Sequence, residues 1–370
     1  LLRTFDQLYA VDPGFETREV VRFTLSLPPS RYDTLPEIRA FYRALEERVR
    51  ALPDVEEVGS IYGAPLGRGN VIGEVLVEGR PEPPPGERLF AALRPVSPEY
   101  LETLRIPLIR GRLLEPSDDV DAEPVAVVSR RFAESVFPGE DPLGEEVRIT
   151  IDMGHGSPFW RIVGVVGDVR SSALTREPRA EIYVAHGQFG PGYMTVTVRS
   201  IPGAGALLPA LRAEVRALDP NLPLIGPETM EEAIGRQVAP TRFYLLLVGL
   251  FAGVAALLAG VGLYGVASYL VSRRTREIGL RVALGAGRSE IVGMVVAQGL
   301  RPAALGVALG LAAALAGGRI LESLLYNVAP RDPGIFVGVT VLVAGLVMAA
   351  TWLPARRATR VDPMEALRVE

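Results

Sequence analysis

The sequence predicts an α+β domain followed by an all-α transmembrane domain of three helices. Two observations predict it. Charge and proline are dense over residues 1–242, whereas residues 243–271 and 302–318 carry no charged side chain. About 20 consecutive apolar residues suffice to cross the hydrocarbon core of a bilayer. Within 1–242 the apolar residues recur alternately at the strand period of two and the helix period of 3.6.

Composition narrows the chemistry. The chain has no cysteine, so it forms no disulfide framework and no thiolate metal site. Two histidines, His155 and His186, are too few for most histidine metal clusters. All 39 basic residues are arginine. A phosphate-cradling P-loop needs a Gly-Lys-Ser/Thr step, so this chain cannot build one, and any ATP would sit on another subunit or domain. Leu1 stands where a methionine would, and no signal peptide follows. The sequence is expected to be a piece of a longer protein.

The elements follow in order. Val20 to Leu27 alternates as a strand, with Val21, Phe23, Leu25 and Leu27 on one face. Residues 36–51 have helical spacing, with Ile38, Phe41, Leu45 and Val49 in one stripe. Pro53-Asp54 stops that helix, and Val55 to Tyr62 reads as a second strand. A like unit recurs at the end of the domain: strand Tyr193–Arg199, helix 204–218, strand Leu222–Ile225. The helix ends resemble each other, Ala44 to Leu52 against Ala210 to Leu218. Two such units can pack as a ferredoxin-like α+β sandwich.

Between them lies an insertion, residues 63–192, read as a β-rich subdomain. Its strands are Ile72–Val77, Phe90–Val96, Val125–Ser129, Glu146–Ile151, Trp160–Val169 and Glu181–Ala185. The glycine-rich loop 154–158 has no helix signal behind it, so a plain turn is expected rather than an anion site. Asp118, Asp119 and Asp121 lack the other ligands and the glycine of a calcium loop, and read as a solvated acidic loop.

Residues 228–242 read as a helix running into the first span, 243–271. At 1.5 Å per residue that span is about 43 Å long and exceeds the bilayer core. The second span is expected over 302–325, with Arg301 snorkelling at its mouth. Asp332-Pro333 is expected to cap the third, 334–353, and Pro354 to end it. Gly249-x-x-x-Gly253 and Gly306-x-x-x-Gly310 are small-residue faces suited to close helix packing. The loop 272–301 holds Arg273, Arg274, Arg276, Arg281 and Arg288, and the tail 354–370 holds Arg356, Arg357, Arg360 and Arg368. Segment 319–334 holds only Arg319 and Arg331. Loop and tail are therefore cytoplasmic, and residues 1–242 lie outside.

The loop has helical propensity. Arg273 and Glu277, and Glu277 and Arg281, are four apart and can pair along one face. Ile278 and Val282 form an apolar pair on a neighbouring face. Such a helix can lie on lipid headgroups or dock in a groove of a partner protein.

Two motifs carry a family resemblance. One is Arg274-x-Arg276-Glu277-Ile278-Gly279-Leu280-Arg281-x-Ala283-Leu284-Gly285-Ala286. The other is the tail Pro354-Ala355-Arg356-Arg357-Ala358-x-x-x-Val361-Asp362-Pro363-x-x-Ala366-Leu367. With them go Val11-Asp12-Pro13-Gly14-Phe15 and Val328-Ala329-Pro330-x-Asp332-Pro333. The chain resembles an ABC-transporter permease of the FtsX/MacB type over nearly its whole length. Leu1 to Phe5 looks like the outer end of a further helix, and the whole like the C-terminal half of a duplicated permease.

The resemblance implies an external "porter" subdomain with a β-rich insertion, on a multi-pass protein of the bacterial cytoplasmic membrane. It implies a separate ABC ATPase that presses on the cytoplasmic loop, and a second permease half or copy. A periplasmic adaptor or an envelope enzyme is the implied outer partner, and no nucleic acid is. On this reading the first motif is the ATPase-coupling loop, the chain is no enzyme, and it holds no cofactor or metal of its own. The alternative is a membrane scaffold whose outer domain regulates an envelope enzyme without export.

Overall fold

Strand β1 (Val20–Ser26), helix α1 (Leu35–Arg50) and β2 (Val55–Ile61) open the fold. Then come β3 (Val71–Val77), β4 (Phe90–Val96), α2 (Tyr100–Thr103), β5 (Leu108–Gly111) and β6 (Val125–Ser129). Helix α3 (Arg130–Val136), β7 (Glu146–Thr150), β8 (Trp160–Val166), β9 (Glu181–Ala185) and α4 (His186–Phe189) follow. The chain returns through β10 (Tyr193–Ser200), α5 (Leu208–Leu218) and β11 (Ile225–Thr229) to the long helix α6 (Met230–Arg273). Helices α7 (Ala304–Ala313) and α8 (Pro333–Ala358) lie further on. This computed structural model describes residues 11–274 except 64, 68–70, 152–156, 175 and 202. Beyond 274 it describes 277, 280, 281, 287, 290, 293, 294, 296, 297, 304–313 and 333–358. The chain divides into two units, one ending at Pro240 and one beginning at Thr241.

In the first unit, β11, β1, β10 and β2 lie side by side in that order, every neighbour antiparallel. Val21, Phe23 and Leu25 on β1 are sealed against Ile38, Phe41, Leu45 and Val49 of α1 and Leu211 and Val215 of α5. The period-two and period-3.6 stripes meet in one core, as their spacing requires. Pro36 in its first turn and Thr34, whose amide donates to Glu37 Oε2 at 3.4 Å, start α1.

The insertion forms a closed barrel. Strands β4, β3, β7, β8, β6 and β9 pair in turn, and β9 pairs back onto β4 in parallel. Its interior is filled by Leu93, Val128, Val147, Ile149, Trp160, Ile162 and Val184, with Phe132, Val136 and Phe137 in the same cluster. Closure removes the edges that a β-rich insertion would otherwise expose. The barrel joins the first four strands where Ile61 of β2 pairs with Val96 of β4.

Several elements depart from the sequence expectation. The last strand is Ile225–Thr229, not Leu222–Ile225. Asp219 is the reason: its carboxylate accepts from the Asn221 amide at 3.0 Å and its carbonyl from the Leu222 amide at 3.2 Å, which holds 219–222 as a turn. The next helix starts at Met230 rather than 228, because Thr229 caps it. Thr229 Oγ1 accepts from the Glu232 amide at 3.1 Å, and Glu232 Oε2 from the Thr229 amide at 2.9 Å. The insertion also contains the short helices α2, α3 and α4 and the strand β5, none of which shows a clear period in so few residues.

In the second unit α6 continues to Arg273, and Leu246–Arg273 is long and apolar enough to cross a membrane. Helix α8 continues through Pro354 to Ala358, so the proline does not end it. Proline inside a helix removes the hydrogen bond to the carbonyl four residues back and crowds that carbonyl, which costs stability without requiring that the helix end there. Helices α6 and α8 meet at Gly260, where an added Cβ would lie 3.4 Å from Leu346 Cδ2. Among the described residues nothing comes within 4 Å of such an atom on Gly249, Gly253, Gly306 or Gly310. Residues 314–325 and Asp332 lie outside the described residues.

Candidate functional site: the arginine-rich loop and the buried arginine clamps

Helix α6 delivers the chain to the arginine-rich loop. Arg273, at its last turn, lies over the Tyr269 ring at 5.3 Å, and among the described residues the carboxylate of Glu277 pairs with Arg281 instead. Arg274 opens a turn, its amide donating to the Val271 carbonyl at 3.1 Å. Glu277, Leu280 and Arg281 are helical. Arg281 Nη2 donates to Glu277 Oε1 at 2.8 Å, the expected pairing of residues four apart. Leu280 is exposed, and Arg281 Nη1 also meets Met294 Sδ at 2.9 Å. Arg276, Ile278, Gly279, Val282, Leu284 and Gly285 lie outside the described residues. In the tail, Pro354, Ala355, Arg356, Arg357 and Ala358 belong to the last turns of α8, whereas Asp362, Pro363, Ala366 and Leu367 lie outside the described residues.

The sheet domain contains a feature that the sequence reading missed. Arg22 on β1 faces Glu228 on β11 directly across the ladder. Its Nε and Nη2 donate to Glu228 Oε1 at 3.0 and 2.8 Å, and its Nη1 to the Pro65 carbonyl at 2.5 Å. Arg236 in the second turn of α6 takes the other oxygen of Glu228. Arg94 on β4 repeats the pattern: Nε and Nη2 donate to Glu181 Oε1 at 3.1 and 2.8 Å, and Nη1 to the Gly63 carbonyl at 2.5 Å. Both guanidiniums therefore grip the 63–66 segment, where the chain leaves the first strands for the barrel. Leu66, buried at φ +58°, donates its amide to the Ser171 carbonyl at 2.7 Å and accepts from Gln237 Nε2 at 3.1 Å. The first turns of α6 are thus tied through residues 63–66 to the barrel strands. The signal in the sequence is an arginine inside each of two largely apolar strands, which demands a buried partner.

The remaining candidates resolve differently. Asp118 is engaged by Arg112, at 2.7 and 2.9 Å, and by the Glu115 amide at 2.8 Å. Burial alone would raise its carboxyl pKa, but these bonds and the arginine charge more than offset that and leave it lowered. Asp119 pairs with Arg43 at 2.9 Å. Among the described residues no group of three or more acidic or histidine side chains is placed to hold a metal ion. His155 and most of the 154–158 loop lie outside the described residues.

The comparisons with known proteins agree with the sequence motifs. The MacB-like periplasmic core domain model matches residues 3–218, and the FtsX-like permease C-terminal model matches residues 249–363. The chain is 24% identical to an uncharacterized ABC transporter permease, YknZ, of Bacillus subtilis, over 77% of this chain and 71% of that protein. It is 29% identical to the pyoverdine export ATP-binding/permease protein PvdT of Pseudomonas savastanoi pv. phaseolicola, over 71% of this chain and 40% of that protein. It is 27% identical to the macrolide export ATP-binding/permease protein MacB of Azoarcus sp., with the same coverage of 71% and 40%. The alignment thus spans most of YknZ but about two fifths of the ATP-binding/permease proteins. The solved periplasmic region of MacB from Actinobacillus actinomycetemcomitans aligns at a TM-score of 0.40 and 14% identity, covering 62% of this chain and 95% of that one. With its first region matched by one of these models and its second by the other, the chain belongs to the ABC transporter permeases that combine a MacB-like periplasmic core domain with an FtsX-like C-terminal region.

Proposed function

We propose that this chain is the permease subunit of an ATP-driven mechanotransmission or export system. A separate cytoplasmic ABC ATPase presses on the 272–301 loop and the 354–370 tail, and the membrane helices carry that movement to the outer domain. The observation that carries the reading is the course of α6. It starts on the Thr229–Glu232 capping box beside the Arg22–Glu228–Arg236 cluster and continues as helix to Arg273, at the edge of the arginine-rich loop. One backbone element links the outer sheet's last strand to the proposed docking loop. The absence of lysine from the chain supports placing the nucleotide on a partner.

The strand order β11-β1-β10-β2, with α1 and α5 packed in one core, supports a ferredoxin-like porter subdomain. The arginine bias supports three spans with loop and tail in the cytoplasm. The likeness to pyoverdine and macrolide exporters supports export as the working function, with a second permease half or copy completing the unit.

Topology is the direct test. In a chain given an N-terminal transmembrane entry helix, a cytoplasm-active reporter fused after Glu370 is active and the same reporter inserted at Pro84 is silent. The reverse pattern would remove the permease reading.

A further inference from the structure

A cavity of about 340 Å³ lies within the sheet domain, beneath α1 and against the start of α4. It is of the size that takes small ligands, and it sits where the barrel meets the first four strands, a usual place for them. No part of the permease reading uses it.

Its charges are arranged in two groups along α1. At one end are Arg39 and Arg43, one turn apart, facing Asp119 at 4.0 and 2.9 Å. Two guanidiniums thus meet one carboxylate. His186 lines this end, buried, and its Nε2 has no hydrogen-bond partner. A buried polar atom of this kind is costly unless something bonds it. Burial holds the imidazole neutral, with a pKa down at about 4, so Nε2 can carry a proton to donate without adding charge. Asp118 lines the cavity too, but its carboxylate is spent on Arg112.

One to three turns further along the helix the balance reverses. Glu47 and Glu99 line this end with one arginine, Arg50, which reaches Glu99 at 3.4 Å. Glu46 is buried beside them and accepts from Ser60 Oγ at 2.6 Å. From Arg43 to Glu47 the helix advances about 6 Å, at 1.5 Å per residue. A fully extended dipeptide is on the order of 7 Å long. An excess cation and an excess anion at that spacing complement one molecule bearing both charges.

We propose that this cavity binds a zwitterion of amino-acid to dipeptide size. Its carboxylate would sit on Arg39, Arg43 and His186 Nε2, and its ammonium on Glu47 and Glu99. Binding here would bridge α1 to the β9–α4 turn and so tie the barrel to the first four strands.

The test is calorimetric titration of the full chain, purified in detergent, with alanine and with dialanine. N-acetyl-dialanine, which keeps only the anion, and dialanine amide, which keeps only the cation, are the controls. Dialanine or alanine is expected to give saturable heat, with both capped forms at least tenfold weaker. Arg43→Gln, at an exposed side chain, and Glu99→Gln, at a half-buried one, are each expected to weaken dialanine about tenfold. The proposal is overturned if neither free zwitterion gives saturable heat. It is equally overturned if a capped form binds as tightly as dialanine, or if both variants bind like the parent.

Discussion

Arg94 on β4 and Glu181 on β9 form an ion pair sealed from solvent, at 1% and 2% side-chain exposure, across the parallel seam that closes the barrel. Arg94 stands opposite Tyr183 in the ladder, and Glu181 lies two residues before it on the same face. Tyr183 Oη completes the group by donating to Glu181 Oε2 at 2.7 Å. Every Arg94 nitrogen has an acceptor, which is what allows a charge to stay there.

Removing one member should therefore cost far more than removing both. Glu181→Gln leaves a buried guanidinium without its counter-charge and is expected to lower stability by about 3–5 kcal/mol. The double variant Arg94→Leu, Glu181→Leu should be clearly more stable than that single variant, with the coupling read from a double-mutant cycle. Urea unfolding followed by the fluorescence of Trp160, buried in the barrel, measures both.

Glu46 and His186, both buried in the cavity wall, oppose each other in their pH dependence. Burial lifts the Glu46 carboxyl from 4.5 to about 7, with the Ser60 hydrogen bond opposing, Glu99 adding and Arg50 opposing. A raised folded pKa means stability that is full below about 4.5 and lost as pH rises through 7. Burial lowers His186 from 6.5 to about 4, with Asp119 opposing and Arg39 and Arg43 adding. A depressed folded pKa means stability that is full above 6.5 and lost as pH falls through 4. Between about 4.5 and 6.5 the two slopes offset. Glu46→Gln should leave a chain that loses melting temperature as pH falls from 6.5 to 4. His186→Asn should leave one that gains it as pH falls from 7 to 4.5. Melting curves across pH 4–8 check both signs.

Gly14 has a backbone role behind its place in the Val11-Asp12-Pro13-Gly14-Phe15 motif. Its φ is +84°, its amide donates to Asp12 Oδ1 at 2.8 Å, and a Cβ there would stand 1.9 Å from the Asp168 carbonyl oxygen. Gly79, at φ +75°, has open space around the same position. Gly79→Ala should cost about 1 kcal/mol from backbone strain alone, and Gly14→Ala distinctly more, because main chain must move. Parallel urea titrations of the two variants give the comparison.

The sequence made β1, β2, β10 and the helices packed on them legible because their signals are local. Val21, Phe23 and Leu25 alternate within one strand, and Ile38, Phe41, Leu45 and Val49 repeat within one helix, so each segment declares its buried face unaided. Barrel closure is not local. The β4–β9 pairing joins Ala92 to Glu181, and no pattern within either segment carries that register. The partners of the buried arginines were hidden for the same reason, since Arg22 and Glu228 are 206 residues apart. The last strand was misplaced because Leu222 and Leu224 look strand-like, while the Asp219 carboxylate decides the turn. Of the loop motif, the Glu277–Arg281 pair was legible from its spacing of four, whereas Ile278 and Val282 stay a reading of the sequence.

That loop supplies the most direct measurement. If residues 273–284 dock on a separate ATPase, Glu277→Arg removes the ion pair with Arg281, and Ile278→Asp puts a charge on the proposed contact face. Both variants should insert normally and leave the outer domain's melting unchanged, yet lose most of the ATPase that copurifies with the parent permease. Copurification at the parent level in both variants, with transport in cells also unchanged, would contradict the account and leave the loop as a helix lying on the lipid surface.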